Sequence, residues 1–140
     1  MACGKCSHKF CWVCLGAFDH KNHQCNKYKE EVDSKNSARN ELHKFMHFFT
    51  RYQGHDQSLQ AESKVKQNAK HTMDELADRG LPWIDVQFIM GAATELMEAR
   101  TILKWTYVYG YYLPKAVNRG LFEHLQGELE MDTEKLSGLL

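Results

Sequence analysis

The cysteines of this chain are confined to its first residues. All five lie within the first 25 of 140 residues, in MACGKCSHKFCWVCLGAFDHKNHQC, and four of them form two Cys-x-x-Cys pairs. We see no signal peptide and no apolar run of the roughly 20 residues that span a bilayer. The expected location is therefore the cytoplasm or the nucleus, where thiols stay reduced. Clustered Cys-x-x-Cys pairs in such a chain indicate metal ligands.

The second pair has enough neighbours for a complete zinc site. Structural zinc takes four tetrahedral thiolate or imidazole ligands. Cys11 and Cys14 offer two sulfurs, Cys25 offers a third, and either His20 or His23 offers the fourth. The sequence therefore predicts a Cys₃His zinc site. Buried or disulfide-bonded thiols are the weaker interpretation, because nothing indicates export.

The first pair, Cys3 and Cys6, has no second pair of its own. It could join Cys11 and Cys14 in a Cys₄ site, but Cys25 would then be left out. A redox motif is not favoured, because no strand–helix pattern follows it. The favoured interpretation is half of a second zinc site, completed by residues upstream of Met1.

The composition changes near residue 28, so we expect a domain boundary within 28–34, with a zinc-binding domain at 1–29 and a helical domain at 30–140. Apolar residues spaced at i, i+3, i+4 and i+7 predict helices. The predicted helices are Ser34 to Tyr52, Gln57 to Arg79, Trp83 to Tyr111 and Leu121 to Leu139. The fold class is mostly α: a small zinc-stabilised Cys/His-rich segment followed by an antiparallel bundle of about four helices.

Particular residues mark the expected ends and faces of these helices. Gly54 is expected to end the first helix, and Gly80 to follow the second in the position past a helix end. Pro82 fits the first turn of the third helix. The first helix is expected to turn Leu42, Phe45, Met46 and Phe49 inward. The stretch WTYVYGYYL has strand-forming composition, but helix is preferred because no partner strand is in reach.

Charge argues against two classes of partner. Lys and Arg number 18, as do Asp and Glu, so the formal net charge is zero. We therefore expect neither nucleic acid nor a membrane surface as partner.

Several segments together resemble a known family. HKFCWVCLGAFDH and CNKY resemble the end of the second RING-like, catalytic domain of Ariadne-type RING-between-RING ubiquitin ligases. FMHFFTRYQGHDQSLQAE, WIDVQF, ARTILKWTYVYGYYL and FEHLQGELEMDTEKLSGLL resemble the Ariadne domain that follows it. The resemblance covers nearly the whole chain, in order. It implies part of an E3 ubiquitin-protein ligase that transfers ubiquitin through a cysteine thioester.

The resemblance also implies ligand sets for two zinc ions. It assigns Cys3 and Cys6 to the first ion, and it assigns Cys11, Cys14, His20 and Cys25 to the second. His20 follows Cys14 by one residue fewer than the family's histidine follows its matching cysteine, so His23 stays an alternative. The family's catalytic cysteine would lie just before Met1. We therefore expect a C-terminal fragment that is inactive alone, since all five of its cysteines are explained as ligands.

The implied partners are ubiquitin, a ubiquitin-conjugating enzyme, protein substrates and a neddylated cullin-RING ligase. In the family the helical domain masks the catalytic cysteine, and cullin binding relieves the inhibition. Ala61, Glu62 and Glu134 match the inhibitory contacts, although the family commonly has an aromatic residue where Ala61 stands. The alternative for both glutamates is a solvated helix face. A second hypothesis for the whole chain is a non-catalytic zinc-plus-helix interaction module.

Overall fold

Three helices carry a small irregular segment in the computed structural model, which describes residues 3–11, 14–17, 23–29, 37–80, 83–114 and 118–140. Helix α1 spans Ser37–Asp78, α2 spans Trp83–Tyr112 and α3 spans Arg119–Ser137. Outside the helices, the described residues contain one isolated antiparallel bridge, between Phe10 and Ala17. The mostly α fold class is confirmed.

Contacting residues give the directions of the helices. Arg100 of α2 contacts Glu62 of α1, whereas Trp105, further along α2, contacts Tyr52, nearer the start of α1. Helices α1 and α2 are therefore antiparallel. Arg100 also contacts Glu134 near the end of α3, and the beginning of α3 packs beside the end of α2. Helix α3 thus runs antiparallel to α2 and parallel to α1.

Helix α1 is continuous over 42 residues, so the prediction of two helices separated by a turn at Gly54 was wrong. A glycine inside a helix costs only about 1 kcal/mol relative to alanine. His55 and Ser58, directly after it, are both buried. Tertiary packing through the predicted turn therefore outweighs the local preference, and the described residues form three helices where about four were expected.

The buried stripe of α1 also differs from the predicted one. Residues at seven-residue intervals are buried along its length: Phe48, His55, Glu62 and Ala69. The predicted inward residues Leu42, Phe45, Met46 and Phe49 are instead between 42% and 58% exposed. Two members of the buried stripe are polar, which is why a search for apolar periodicity selected the wrong face.

The other helices agree closely with prediction. Helix α2 includes the stretch WTYVYGYYL except for its last residue, Leu113, so the assignment of this stretch as helix is confirmed. Gly80 has φ +86° and lies just past the end of α1, as predicted. Helix α3 begins two residues earlier than expected, because the Asn118 side chain accepts a hydrogen bond from the backbone of Leu121 at 3.3 Å and caps the helix. Pro82 lies outside the described residues.

The N-terminal segment is docked against two of the helices. Asn26 is buried and its Nδ2 donates to the carbonyl of Glu123 in α3 at 2.6 Å. Gly127, one turn further on, leaves room for this side chain, since a Cβ there would lie 3.3 Å from Asn26 Nδ2. The division at residues 29 and 30 stays a prediction. Among the described residues, no helix is long and apolar enough to cross a membrane.

Two glycines of α2 allow a test of this packing. A Cβ at Gly110 would lie 3.0 Å from the ring of Phe48 and 3.3 Å from that of Phe122, whereas nothing lies within 4 Å of one at Gly91. We expect Gly110→Ala to lower the free energy of unfolding by about 1–3 kcal/mol through overpacking. Gly91→Ala, the matched control, should raise it by about 0.5–1 kcal/mol. Urea unfolding followed by circular dichroism measures both, and equal effects would contradict the three-helix packing.

Candidate metal centre and buried glutamate pair

The second Cys-x-x-Cys pair sits in a hydrogen-bonded turn. The backbone N–H of Cys11 donates to the carbonyl of Gly16 at 2.9 Å, and that of Leu15 donates back to the carbonyl of Cys11 at 2.8 Å. Leu15 has φ +57°, a left-handed conformation that an ordinary residue adopts only when its surroundings require it. The turn holds the segment around Cys14 in a defined place beside Cys11.

The first pair adopts the same turn. The backbone N–H of Cys3 donates to the carbonyl of His8 at 2.9 Å, and that of Ser7 donates to the carbonyl of Cys3 at 2.8 Å. Ser7 has φ +56°, in the position equivalent to Leu15. The two pairs are thus local repeats of one structure, in backbone hydrogen bonds as well as in sequence.

Four possible ligands converge at the second turn. Cys11, Cys14, His23 and Cys25 each place one ligand atom so that all four lie within 4.8 Å of one another. Cys11 Sγ lies 3.8 Å from Cys25 Sγ, and Cys14 Sγ lies 3.5 Å from His23 Nε2. A tetrahedral zinc with Zn–S of about 2.3 Å and Zn–N of about 2.0 Å has edges of about 3.8 Å and 3.5 Å. The group therefore fits a metal ion.

The donor set consists of three cysteine sulfurs and one histidine nitrogen, which are ligand types that zinc takes. The hydrogen-bonded Cys11 thiol and burial hold the pKa of Cys25 far above its usual range. A metal ion that binds here must displace thiol protons, so binding is pH-dependent. None of the five cysteines forms a disulfide in this structure, so a metal group is favoured over the alternative of disulfide-bonded thiols.

The structure thus distinguishes among the predicted ligands. It brings Cys11, Cys14 and Cys25 together, and the fourth member of the group is His23, the alternative to His20. His20 lies outside the described residues. Cys3 and Cys6 share a turn, and among the described residues they join no larger metal-binding group.

Helix α1 holds the backbone of the metal segment, by which we mean the described residues 3–11, 14–17 and 23–29. Arg51 of α1 donates from Nε to the carbonyl of Cys25 at 2.7 Å. His47 Nε2 donates to the carbonyl of Asn26 at 3.2 Å, and burial lowers the pKa of this histidine to about 4. His47 is therefore neutral and acts as a hydrogen-bond donor. Together with the bond from Asn26 to Glu123, these contacts fix the Cys25 region against α1 and α3.

Glu62 and Glu134, the two predicted regulatory residues, share one arginine inside the bundle. Arg100 donates from Nε to Glu62 Oε1 at 2.9 Å and from Nη1 to Glu134 Oε1 at 2.7 Å. The exposed fractions of the three side chains are 8% for Glu62, 6% for Glu134 and 3% for Arg100. The alternative that these glutamates lie on a solvated helix face was wrong.

Burial dominates the electrostatics of this triad. Burial raises the pKa of Glu62 above its usual value, against the opposing effect of Arg100. For Arg100, burial lowers the pKa, but Glu134 and then Glu62 raise it, and the net pKa lies above the usual value. Glu62 Oε2 and Glu134 Oε2 are buried without a hydrogen-bond partner. The guanidinium therefore bonds to one oxygen of each carboxylate, and the second oxygen of each has no hydrogen-bond partner.

A further polar layer adjoins the triad. Arg100 Nη1 donates to His55 Nδ1 at 3.3 Å, so the proton of this buried ring is on Nε2. His55 Nε2 lies 3.3 Å from Glu130 Oε1 but is not aligned for a hydrogen bond. The hydroxyl of Tyr107 donates to Glu130 at 3.3 Å. The buried polar core thus continues from the triad towards the metal segment.

Comparison with known proteins identifies the helices. The Ariadne domain model matches residues 43–140, from the second turn of α1 to Leu140. The chain belongs to the Ariadne domain family. Among curated relatives, E3 ubiquitin-protein ligase dbl4 of Schizosaccharomyces pombe is 36% identical over 99% of the chain and 29% of its own length. E3 ubiquitin-protein ligase ARIH2 of Mus musculus is 38% identical over 98% of the chain and 30% of its own length.

A third relative, E3 ubiquitin-protein ligase ariadne-1 of Drosophila melanogaster, is 36% identical over 96% of the chain and 28% of its own length. The chain therefore spans less than a third of the length of these relatives. The alignments extend over nearly the whole chain, so the metal segment is included although it precedes the Ariadne domain.

Sequence reasoning missed the arginine that the two glutamates share in this Ariadne domain, and also the buried polar residues that adjoin it. Arg100, His55 and Glu130 are polar residues that an apolar pattern assigns to the surface. A signal was available, because His55 and Glu62 follow Phe48 at intervals of seven residues. Polar residues in phase with a buried aromatic residue indicate a polar core.

The identity of the fourth metal ligand can be tested directly. We expect His23→Ala to weaken zinc binding by more than about 100-fold. Loss of a residue that hydrogen-bonds to a metal ligand costs roughly that much, and loss of a ligand itself should cost more. His20→Ala is the matched control and should leave the affinity unchanged. Competition with a chelator measures both. A loss of affinity in the His20 variant alone would restore the original assignment.

The buried triad makes a second prediction. Arg100→Met leaves Glu62 and Glu134 buried without a cation, so we expect a loss of about 3–5 kcal/mol in the free energy of unfolding. Lys104→Met removes the more exposed pair with Asp56, and should cost less than about 1 kcal/mol. Replacing Glu62 and Glu134 by Gln in the Arg100→Met background should recover part of the loss. Equal losses in the two single variants, by urea unfolding, would contradict this assignment.

Proposed function

We propose that this chain serves within a RING-between-RING E3 ubiquitin ligase, with residues 1–29 as the zinc-bound end of the catalytic domain and residues 30–140 as its Ariadne regulatory domain. The observation that carries the proposal is the Cys₃His group, whose four ligand atoms lie within 4.8 Å of one another, beside the helices of an Ariadne domain. The relatives that align with both parts are named E3 ubiquitin-protein ligases.

The proposed reaction is acyl transfer in two steps. A ligase cysteine thiolate attacks the ubiquitin thioester of the conjugating enzyme, forming a new thioester and releasing the enzyme's thiol. A substrate amine then attacks this thioester, forming an amide and releasing the ligase cysteine. Ubiquitin, the charged conjugating enzyme and protein substrates are thus the proposed partners.

The cysteines of this chain have a structural role in the proposal. Zinc bound by Cys11, Cys14, His23 and Cys25 supplies folding energy and has no open position for substrate. Cys3 and Cys6 occupy an equivalent turn, which supports their assignment as two ligands of a second zinc. A zinc-bound thiolate is not free to attack a thioester, so none of the five is the nucleophile.

We place the regulatory role of Glu62 and Glu134 in their shared contact with Arg100. The triad joins the three described helices. Arg51 of α1 also donates to the carbonyl of Cys25, and the Asn26 side chain donates to the carbonyl of Glu123 in α3. The glutamates therefore position the helical domain against the catalytic domain, and a neddylated cullin-RING ligase relieves the inhibition by binding the helical domain.

A chimeric ligase tests the catalytic part. The region of Drosophila ariadne-1 that this chain matches is replaced by residues 1–140, and ubiquitin discharge from a charged conjugating enzyme is measured. We expect the chimera to be active and Cys14→Ser to abolish activity through loss of zinc, whereas the chain alone discharges no ubiquitin. An active Cys14→Ser chimera would contradict the zinc role, and an inactive but zinc-loaded chimera would favour the non-catalytic interaction module.

The regulatory part is tested in the same chimera. Glu134→Gln weakens the pair with Arg100, so we expect basal ubiquitin transfer to rise and the stimulation by a neddylated cullin-RING ligase to shrink. Glu128→Gln, an exposed glutamate of the same helix, is the matched control and should change neither. If both variants behave alike, the proposed role of the triad fails while the family assignment stands.

A further inference from the structure

A groove of about 790 Å³ lies between the metal segment and α1. One wall is formed by the metal segment, including Leu15, Lys27 and Lys29, and the other by α1, including Met46 and Arg51. The groove is distinct from the buried glutamate pair. It adjoins the metal group, since Cys14 and Cys25 are among its lining residues, but the zinc role proposed above gives no function to Leu15, Lys27, Lys29 or Met46.

The described residues that line the groove carry a net positive charge. Lys27, Lys29 and Arg51 are among them, and no Asp or Glu is. Three thiolates and a divalent ion in the neighbouring metal group would contribute a net charge of −1, which the three cations exceed. This contrasts with the chain as a whole, whose formal net charge is zero.

Two apolar side chains are exposed at the same groove. Leu15 is 71% exposed at the tip of the second cysteine turn, and Met46 is 48% exposed on α1. The backbone of Leu15 is fixed by its hydrogen bond to Cys11, so its exposure is imposed by the metal-binding turn. The groove therefore offers apolar contact next to positive charge.

We propose that this groove binds an acidic peptide segment that carries an apolar side chain. Carboxylates match the three cations, and an apolar side chain between Leu15 and Met46 removes both from water. Nucleic acid is less well matched, because single strands stack their bases on exposed aromatic rings. Tyr28, the aromatic residue among the described lining, is half-buried against His47 and Phe48.

Fluorescence anisotropy on the zinc-loaded 140-residue chain tests the proposal. The probe is a labelled peptide of Asp and Glu around one central Leu, and we expect saturable binding that weakens as salt is added. Lys27→Glu with Lys29→Glu should weaken binding by roughly tenfold or more. The matched control reverses Lys64 and Lys70, two exposed lysines further along α1, and should leave binding unchanged.

The apolar contact with Met46 is tested separately. Met46→Ser should weaken binding of the leucine peptide several-fold and leave unchanged the binding of a peptide with Ser in its place. Circular dichroism and zinc content confirm that each variant is folded. No binding, equal losses in the two lysine pairs, or tighter binding of a single-stranded oligonucleotide of equal charge would each overturn the proposal. The assay contains no ubiquitin, so its outcome is independent of the proposed ligase function.

Discussion

The three helices that the structure describes meet at one side chain. Arg100 projects from the middle of α2 and reaches a glutamate on each of the other two helices, and all three side chains are nearly inaccessible to water. Removing ions from water is costly, and the cost is offset only when the ions are paired in good geometry. The arrangement of α1 and α3 around α2 is therefore specified by charge as well as by apolar burial. Each glutamate needs the same guanidinium, so neither helix can shift alone without leaving a buried carboxylate unpaired.

The same interaction explains which parts of the fold could be predicted from the sequence. Apolar periodicity located α2 and α3 within two residues. The buried face of α2 is largely apolar, but the buried residues of α3, Gln126, Glu130 and Thr133, are polar. Apolar periodicity failed on α1, where His55 and Glu62 occupy buried positions and Gly54 suggested a break. A pattern of apolar residues cannot identify a buried face whose partners are charged residues distant in sequence. The partner of Glu62, for example, is 38 residues away.

The metal group was more predictable, because its ligands are local. The spacing of Cys11, Cys14 and Cys25 restricts where their sulfurs can lie, whatever the rest of the chain does. The fourth ligand was not decided by spacing, since His20 and His23 are both within reach in one loop. The structure brings His23 into the group with Cys25. The carbonyl of Cys25 accepts from Arg51 of α1, and the next residue, Asn26, donates to the carbonyl of Glu123 in α3. These contacts join residues distant in sequence, so spacing does not reveal them.

The metal segment and the buried triad are connected by two parallel helices over equal lengths. On α1, Arg51, which holds the carbonyl of Cys25, precedes Glu62 by eleven residues, and on α3, Glu123, whose carbonyl accepts from Asn26, precedes Glu134 by eleven residues. Eleven residues make three helical turns and about 16 Å. If α3 slid along α1 at the triad, the two helices would therefore be displaced by the same distance at the metal segment. The displacement would pull Asn26 and Cys25 in opposite directions. Because these two residues are adjacent in the chain, the segment cannot follow both helices. The metal segment and the triad thus each resist the motion that would disrupt the other.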